Sequence, residues 1–230
     1  MSGTKLKDSE DNDCQSTSIR LIPAMEDGTV DLVFRRANST DAAQVSRLIG
    51  STWAKFFAYS VTESDLETYL TTTLSEESLR AEIEDPSKHF LVAVRQPQPE
   101  DEDIALSTRQ TEPIIIGVAQ LNFASIKVGL SSTKPAELNR LYISPTEQGG
   151  RLAGLTLQSA EGIAMEKGYN GLWLGVWENN DRAKRFYIKN GFQERGEHFF
   201  WVGKSKRRDL VMEKSLRPMV YLSRPERGGP

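Results

Sequence analysis

The stretch that decides the reading of this chain is ELNRLYISPTEQGGRLAGLTLQSAEGIA, residues 137–164. Its opening, with Leu138, Leu141, Tyr142 and Ile143, has the length and apolar content of a strand. Alternation along it predicts Glu137, Asn139 and Leu141 on one face, with Leu138 and Arg140 on the other. Gly149, Gly150 and Gly154 then mark a turn, and LTLQSAEGIAMEKG (155–168) reads as an amphipathic helix closed by Gly168. A glycine turn feeding a helix exposes backbone N–H groups beside the positive end of the helix dipole, a ready site for a pyrophosphate. The turn is not a nucleotide-binding P-loop, because no Gly-Lys-Ser/Thr follows it. Nor is it a dinucleotide fingerprint, because it follows late strands and lacks the G-x-G-x-x-G spacing. Taken alone, the glycines also fit a plain tight turn.

Outward from this stretch the chain reads as one domain over 29–216. Residues 1–28 are polar and charged, predicting a flexible tail, and 217–230 carry three prolines and two glycines, predicting a second one. A strand is expected over Leu32 to Ala37. Ser39, Thr40 and Asp41 offer caps for a helix over 41–57, along which Ala43, Val45, Leu48, Ile49, Trp53 and Phe56-Phe57 trace an apolar stripe. A second helical region covers 65–85 and is stopped by Pro86. Strands follow at His89 to Val94, 114–125 and 136–145, with an acidic, proline-punctuated loop at 97–113. GLWLGVW (171–177) is a strand, DRAKRFYIKNG (181–191) a helix capped by Gly191, and 192–202 and 207–216 complete the sheet. The sum is an α+β layer architecture with a mixed central sheet flanked by helices.

Two motifs carry a resemblance. Gln148-Gly149-Gly150-Arg151-Leu152-Ala153 resembles the Q/R-x-x-G-x-G/A element of the GNAT acyl-CoA N-acyltransferases. Asn180-Asp181-Arg182-Ala183-Lys184-Arg185-Phe186-Tyr187, followed by Asn190-Gly191-Phe192, resembles that family's N-x-x-A-x-x-F-Y-x-x-x-G-F element. The order and interval are those of the family, and the likeness covers roughly Leu32 to Leu216. WLGVWENNDRAKRFYIKNGF, GEHFFWVG and DLVMEK are similar to the PaiA-type branch, associated in bacteria with polyamine acetylation. One departure is Arg151, which stands where most members have a second glycine. A left-handed backbone there would cost an arginine on the order of 1 kcal/mol, whereas a negative φ would let the side chain reach a CoA phosphate.

The resemblance implies the GNAT fold and an acetyl-CoA-dependent N-acetyltransferase whose acceptor is a small, polyamine-like amine attacking the thioester directly. Leu141, Tyr142 and Ile143 would offer backbone groups to the pantetheine and the thioester oxygen. Gln148, Gly149, Gly150, Arg151, Leu152, Ala153 and Gly154 would cradle the pyrophosphate, and Asn180 would hydrogen-bond the CoA arm. Tyr187 would sit near the sulfur and protonate the leaving thiolate. Glu137 matches a carboxylate that serves as base through a water; Glu178, just after a strand, is its rival. His198 lies in the GEH element and is a candidate for lining the acceptor pocket, as are Trp53, Phe56 and Phe57.

Composition narrows the setting. The net charge of -3 invites no nucleic acid and permits a cationic substrate. Cys14 is the single cysteine, so no internal disulfide forms and a reducing, cytoplasmic setting is expected. The amino terminus lacks the hydrophobic centre of a secretory signal, and no apolar run predicts a membrane partner. His89 and His198 are far apart and lack partners at ligand spacing, so no metal is expected. The partners are then acetyl-CoA and a small amine, and the resemblance admits a homodimer.

Overall fold

The structure is a computed structural model, and it describes residues 20–21, 32–96 and 113–216. Cys14, the 217–230 tail, nearly all of the 97–113 loop and most of the 1–28 tail lie outside the described residues. Within the segment read as an amino-terminal tail, β1 (Arg20–Leu21) pairs antiparallel with β2 (Leu32–Arg36).

A 3-10 turn at Ser39–Asp41 leads into α1 (Ala42–Phe57), and its cap is Asn38 rather than the expected Ser39-Thr40-Asp41. Asn38 accepts from the Thr40 N–H at 2.9 Å, while Asp41 accepts from the Asn38 N–H at 2.8 Å. Arg35 holds the same carboxylate in a two-pronged pair at 2.6 and 2.8 Å, which fixes the entry of the helix. The expected single helix over 65–85 is two, α2 (Glu63–Thr71) and α3 (Glu76–Glu84). The run Thr71-Thr72-Thr73 is β-branched and weak in helix, and the Ser75 side chain caps a new start by accepting from the Ser78 N–H at 3.1 Å.

The remaining elements are β3 (Lys88–Arg95), β4 (Ile114–Asn122), β5 (Pro135–Ile143), α4 (Leu152–Glu166), β6 (Gly171–Trp177), α5 (Asp181–Lys189), β7 (Gln193–Val202) and β8 (Ser205–Ser215). They form one mixed sheet in the order β1-β2-β3-β4-β5-β6-β8-β7, antiparallel throughout except for the β5–β6 pair. Each face carries its own core. Leu91, Ala93 and Leu138 pack with Leu157, Ala160 and Ala164 of α4. Phe90, Val92 and Val94 pack with Val45, Ile49 and Trp53 of α1 and Leu79 of α3. The strict alternation of these β3 residues is what a strand covered on both faces requires.

Two irregularities position the site. β5 and β6 pair in parallel only through Glu137↔Trp173, after which the strands diverge. In the β4–β5 ladder Leu121 pairs Leu138 while Gln120 pairs Arg140, so Asn139 is an extra residue. Such a bulge resets the alternation of the strand. The expectation that Leu141 shares a face with Glu137 therefore fails. Leu141 packs with the α4-side core, whereas Arg140 reaches Glu82 of α3 and Tyr142 packs with the α1 side.

Candidate active site

Where β5 and β6 part, two adjoining cavities open, of about 610 and about 420 Å³. Both lie within the size range of small-molecule sites. They share Leu141, Tyr142, Trp177, Asn180 and Tyr187.

The larger cavity is bounded by the end of β5, the glycine turn and the start of α5. Of the residues expected to bind CoA, Leu141, Tyr142, Ile143, Gln148, Gly149, Gly150, Ala153, Asn180 and Tyr187 line it. Gly149 has φ +93°, a conformation that glycine takes without strain. Arg151 has φ -81°, so no left-handed cost arises at the position where the motif departs from the family. α4 begins at Leu152, earlier than the expected Leu155, which moves Gly154 from the turn into the helix. Leu152 is buried in the α4-side core, and neither it, Arg151 nor Gly154 lines the cavity. Gln148 donates to the Ile143 carbonyl at 3.3 Å and accepts from Arg182 at 2.6 Å, tying β5, the turn and α5 together. Asn180 caps α5 by accepting from the Ala183 N–H at 3.1 Å. Thr52, Tyr59 and Arg182 also line this cavity. Nothing in their local sequence marks them, since they arrive from α1, the turn after it and α5 only once the chain is folded.

The smaller cavity is a different kind of place. Its walls are aromatic, with Trp53, Phe57, Tyr69, Trp177 and Phe200, and titratable groups face into it. Phe56 lines the larger cavity only, whereas Phe57 borders both. The β7–β8 turn is held over α2 by Asp65, which accepts from the Lys204 N–H at 3.0 Å and the Ser205 hydroxyl at 2.7 Å. That clamp brings Phe200 edge-on to Tyr69, with ring centroids 6.3 Å apart.

Glu137 lines the smaller cavity, and burial raises its pKa above the usual carboxylate value although the Ser125 and Asn122 side chains hydrogen-bond it. Tyr187 is buried, which pushes its hydroxyl well above the ordinary tyrosine value. It borders both cavities. Glu178 lines neither, and its carboxylate is paired with Arg208 at 2.7 Å. His89 opens β3 away from both, pushed down to about 4 by burial and by the charges of Arg36 and Lys167.

Sequence reading missed Arg207 and Asp209, which line the smaller cavity beside His198. They stand two apart on β8, so their side chains share a face, and β7 sets Phe200 opposite Arg207 and His198 opposite Asp209. Gly175 of β6 makes room for this cluster: a Cβ there would meet His198 Cε1 at 2.9 Å and Asp209 Oδ2 at 3.3 Å. The available signal was RRDLVMEK, whose alternation places Arg207, Asp209 and Glu213 on one face of the strand together with Val211. Among the described residues no group of three His, Cys, Asp or Glu side chains is arranged to hold a metal ion, and no helix is long and apolar enough to cross a membrane.

Two cavities that share a wall suit a reaction in which a group passes between two bound molecules. Residues 58–192, more than half of the chain, match the Acetyltransferase (GNAT) family, and the chain belongs to that family. It is an acyl-CoA-dependent N-acetyltransferase. It is similar to an uncharacterized N-acetyltransferase of Lactobacillus delbrueckii subsp. lactis, 24% identical over 79% of this chain and 95% of the relative. A Mycobacterium tuberculosis N-acetyltransferase is 35% identical over 36% of this chain and 53% of its own length. Among solved structures, the PaiA N-acetyltransferase of Thermoplasma acidophilum in complex with coenzyme A shares the fold. Its TM-score is 0.60 at 24% identity, over 80% of this chain and 99% of that one.

Proposed function

We propose that the chain acetylates a primary amine of a small molecule held in the smaller cavity, by direct attack on acetyl-CoA held in the larger one. The observation that carries this reading is the position of Tyr187, which borders both cavities, while Glu137 borders only the smaller. In this reading the divergent end of β5 receives the pantetheine, and the glycine turn with the amino terminus of α4 receives the pyrophosphate. The amine must first lose a proton, since an alkylamine of pKa about 10 is mostly cationic at neutral pH. Glu137 takes that proton, directly or through a water. The free amine then attacks the thioester carbon, the C–N bond forms as the C–S bond breaks, and the departing thiolate takes a proton from the Tyr187 hydroxyl. The proton shed by the acylated nitrogen returns Tyr187 to its neutral form through water. A thiol of pKa about 8.5 is a weaker acid than water-exposed carboxyls but stronger than a buried tyrosine, so this last transfer relies on alignment.

The polyamine expected from the sequence resemblance is one form of this acceptor. Glu137 and Asp209 support a cation in the smaller cavity; Arg207 opposes one. A cytoplasmic setting completes the reading and rests on the lone Cys14 of the sequence.

The test is thiol release from acetyl-CoA across spermidine, spermine, small monoamines, amino acids and lysine-containing peptides. Saturable release with one small-amine class is expected. Release with peptides alone would move the acceptor to a protein or peptide amine. Acetyl-CoA binding with no amine-dependent release would make the chain a CoA-binding module.

A further inference from the structure

Two arginines line the acceptor cavity, and the fold treats them in opposite ways. Arg140 is fully engaged: it donates to Glu82 at 2.7 Å and 3.2 Å and to the Gln120 side-chain oxygen at 2.5 Å. Arg207 is as deeply placed, only 7% exposed, yet its Nε has no hydrogen-bond partner. No carboxylate lies within ion-pair distance of it among the described residues. Its surroundings are rings instead, with the guanidinium carbon 4.2 Å from the Trp177 centroid and 5.5 Å from those of Trp53 and Phe57. Two places along the same face of β8, Asp209 is half-buried, and its Oδ1 is enclosed without a partner.

A buried charge without a hydrogen-bonded partner is costly, and the stacking of a guanidinium on indole recovers only part of that cost. The rings do something else: they pack against the guanidinium without taking up the N–H donors along its edge, so that edge is available to a ligand in the cavity that Arg207 lines. That edge matches a carboxylate, which takes two parallel hydrogen bonds from it. Asp209, His198 and Glu137 stand on the same cavity, and Lys127 approaches His198 Nδ1 at 3.5 Å from the β4–β5 connection. The cavity therefore offers one unmet cation and two half-buried carboxylates, with no ion pair of its own between Arg207 and Asp209.

Resting on the acetyltransfer reading, we propose that the acceptor is an amino acid in the chemical sense, a primary amine that also carries a carboxylate. Arg207 receives the carboxylate, and Glu137 and Asp209 face the amine. A polyamine brings two or more positive charges beside Arg207, and a simple monoamine leaves its edge unpaired, so both are poorer acceptors. Arg207 acts as a specificity residue: it binds a part of the substrate that does not react.

The experiment is a matched series on the wild-type protein. Each of a set of α- and ω-amino acids is compared with its methyl ester and its decarboxylated amine, with spermidine and spermine alongside, by thiol release at fixed acetyl-CoA. At least one amino acid is expected to exceed its ester and its decarboxylated amine by about 100-fold in kcat/KM, which corresponds to about 2.7 kcal/mol. In Arg207→Gln that ratio collapses toward one, chiefly through the acceptor KM, while the acetyl-CoA KM holds. Arg207→Lys, which keeps the charge but not the two-pronged edge, restores only part of the ratio. Equal or better turnover of the decarboxylated amines or polyamines by the wild type overturns the proposal while leaving the acetyltransfer reading intact. A discrimination that survives Arg207→Gln overturns the role of Arg207. If no amine of any class releases thiol, the acetyltransfer reading itself has failed.

Discussion

The two halves of the cleft are built from different materials. The larger cavity is walled by strand backbone, glycines and the first turn of α5, and two of its polar side chains are already committed: Gln148 to Ile143 and Arg182, Asn180 to the cap of α5. The smaller cavity is walled by rings and holds the buried Arg207 and the half-buried Glu137 and Asp209, groups whose hydrogen bonds are incomplete or whose pKa values are displaced. A site of the first kind grips through fixed backbone donors and needs only the right path of the chain. A site of the second kind stores unmet charge in a poorly solvated place, where interaction with a complementary group is strong. In the proposed reading the first kind holds the acetyl donor, and the second selects the acceptor and serves the proton transfers.

The largest expected effect breaks the chemistry at the junction of the two halves. Glu137→Gln is expected to lower kcat by about 10²–10³, the usual range for losing a general base, with the acetyl-CoA KM nearly unmoved. Tyr187→Phe removes the proton donor but keeps the ring packed beside Phe186 and Phe192, so its loss in kcat is expected at about 10². Steady-state kinetics in both substrates checks each, and unimpaired turnover in either variant removes that residue from the chemistry.

The pH profile sharpens the same point. As the proposed base Glu137 must be ionised, and burial raises its pKa, so wild-type activity is expected to fall on the acid side from a midpoint above the ordinary value of about 4.3. Tyr187 works protonated, and burial raises its pKa too, so it sets no alkaline limit below about pH 10. In Glu137→Gln only free amine reacts, and the rate should climb with pH toward the amine's own pKa, narrowing the gap to wild type. A constant gap across pH would mean that Glu137 is not the base.

On β8 itself the contrast is between Asp209 and Glu213, carboxylates on one face of one strand. Burial alone would raise Glu213, but Ser131 and Ser132 supply backbone donors at 2.9 and 2.7 Å, the Ser131 hydroxyl approaches at 2.7 Å and Arg195 at 3.0 Å. The donors win and bring its pKa down to about 2. Its role is structural, anchoring the loop before β5. Because the folded pKa lies below the unfolded one, Glu213 adds stability above about pH 4, and that contribution is lost as pH falls toward 2. Glu213→Gln is expected to cost about 3 kcal/mol at pH 7 in urea unfolding and progressively less at pH 4 and 3. A cost that does not shrink with acid would remove the ionic account. For Asp209, whose pKa burial raises, the balance runs the other way.

How much of this was legible in the sequence follows the same division. The glycine turn and the cap of α5 came from local pattern, because they are specified by contiguous residues such as Gly149 and Asn180, whereas Thr52 and Tyr59 reach the larger cavity only once the chain is folded. The smaller cavity came only in part. Glu137 and Tyr187 were marked by the resemblance. Arg207 and Asp209 were not, because a charged residue on a strand reads as solvent-facing until the partner strands show which face is covered. The bulge at Asn139 was invisible as well, since the register of β4 against β5 is a property of two strands, and it overturned the predicted face of Leu141. Likewise the break between α2 and α3 turned on the competing cap at Ser75, which a continuous helical stripe concealed.

The smallest expected effects test the larger cavity, within the turn itself. Gly149 has φ +93° with open space where a Cβ would stand, so Gly149→Ala costs on the order of 1 kcal/mol in backbone strain alone. Gly150 has no such φ, and its Cβ would meet only the Glu147 carbonyl at 3.7 Å, so Gly150→Ala should be tolerated. Gly149→Ala is then expected to raise the acetyl-CoA KM more than Gly150→Ala does. Arg151 is exposed at the amino terminus of α4, where its charge would meet a phosphate through solvent. Arg151→Ala should raise the acetyl-CoA KM by about threefold with kcat and the acceptor KM held, in keeping with the modest worth of exposed ion pairs. Salt discriminates the cause: a phosphate contact made through solvent is screened, so the threefold difference should close as ionic strength rises toward 1 M. A difference that persists at high salt would assign Arg151 to the shape of the turn instead of to its charge.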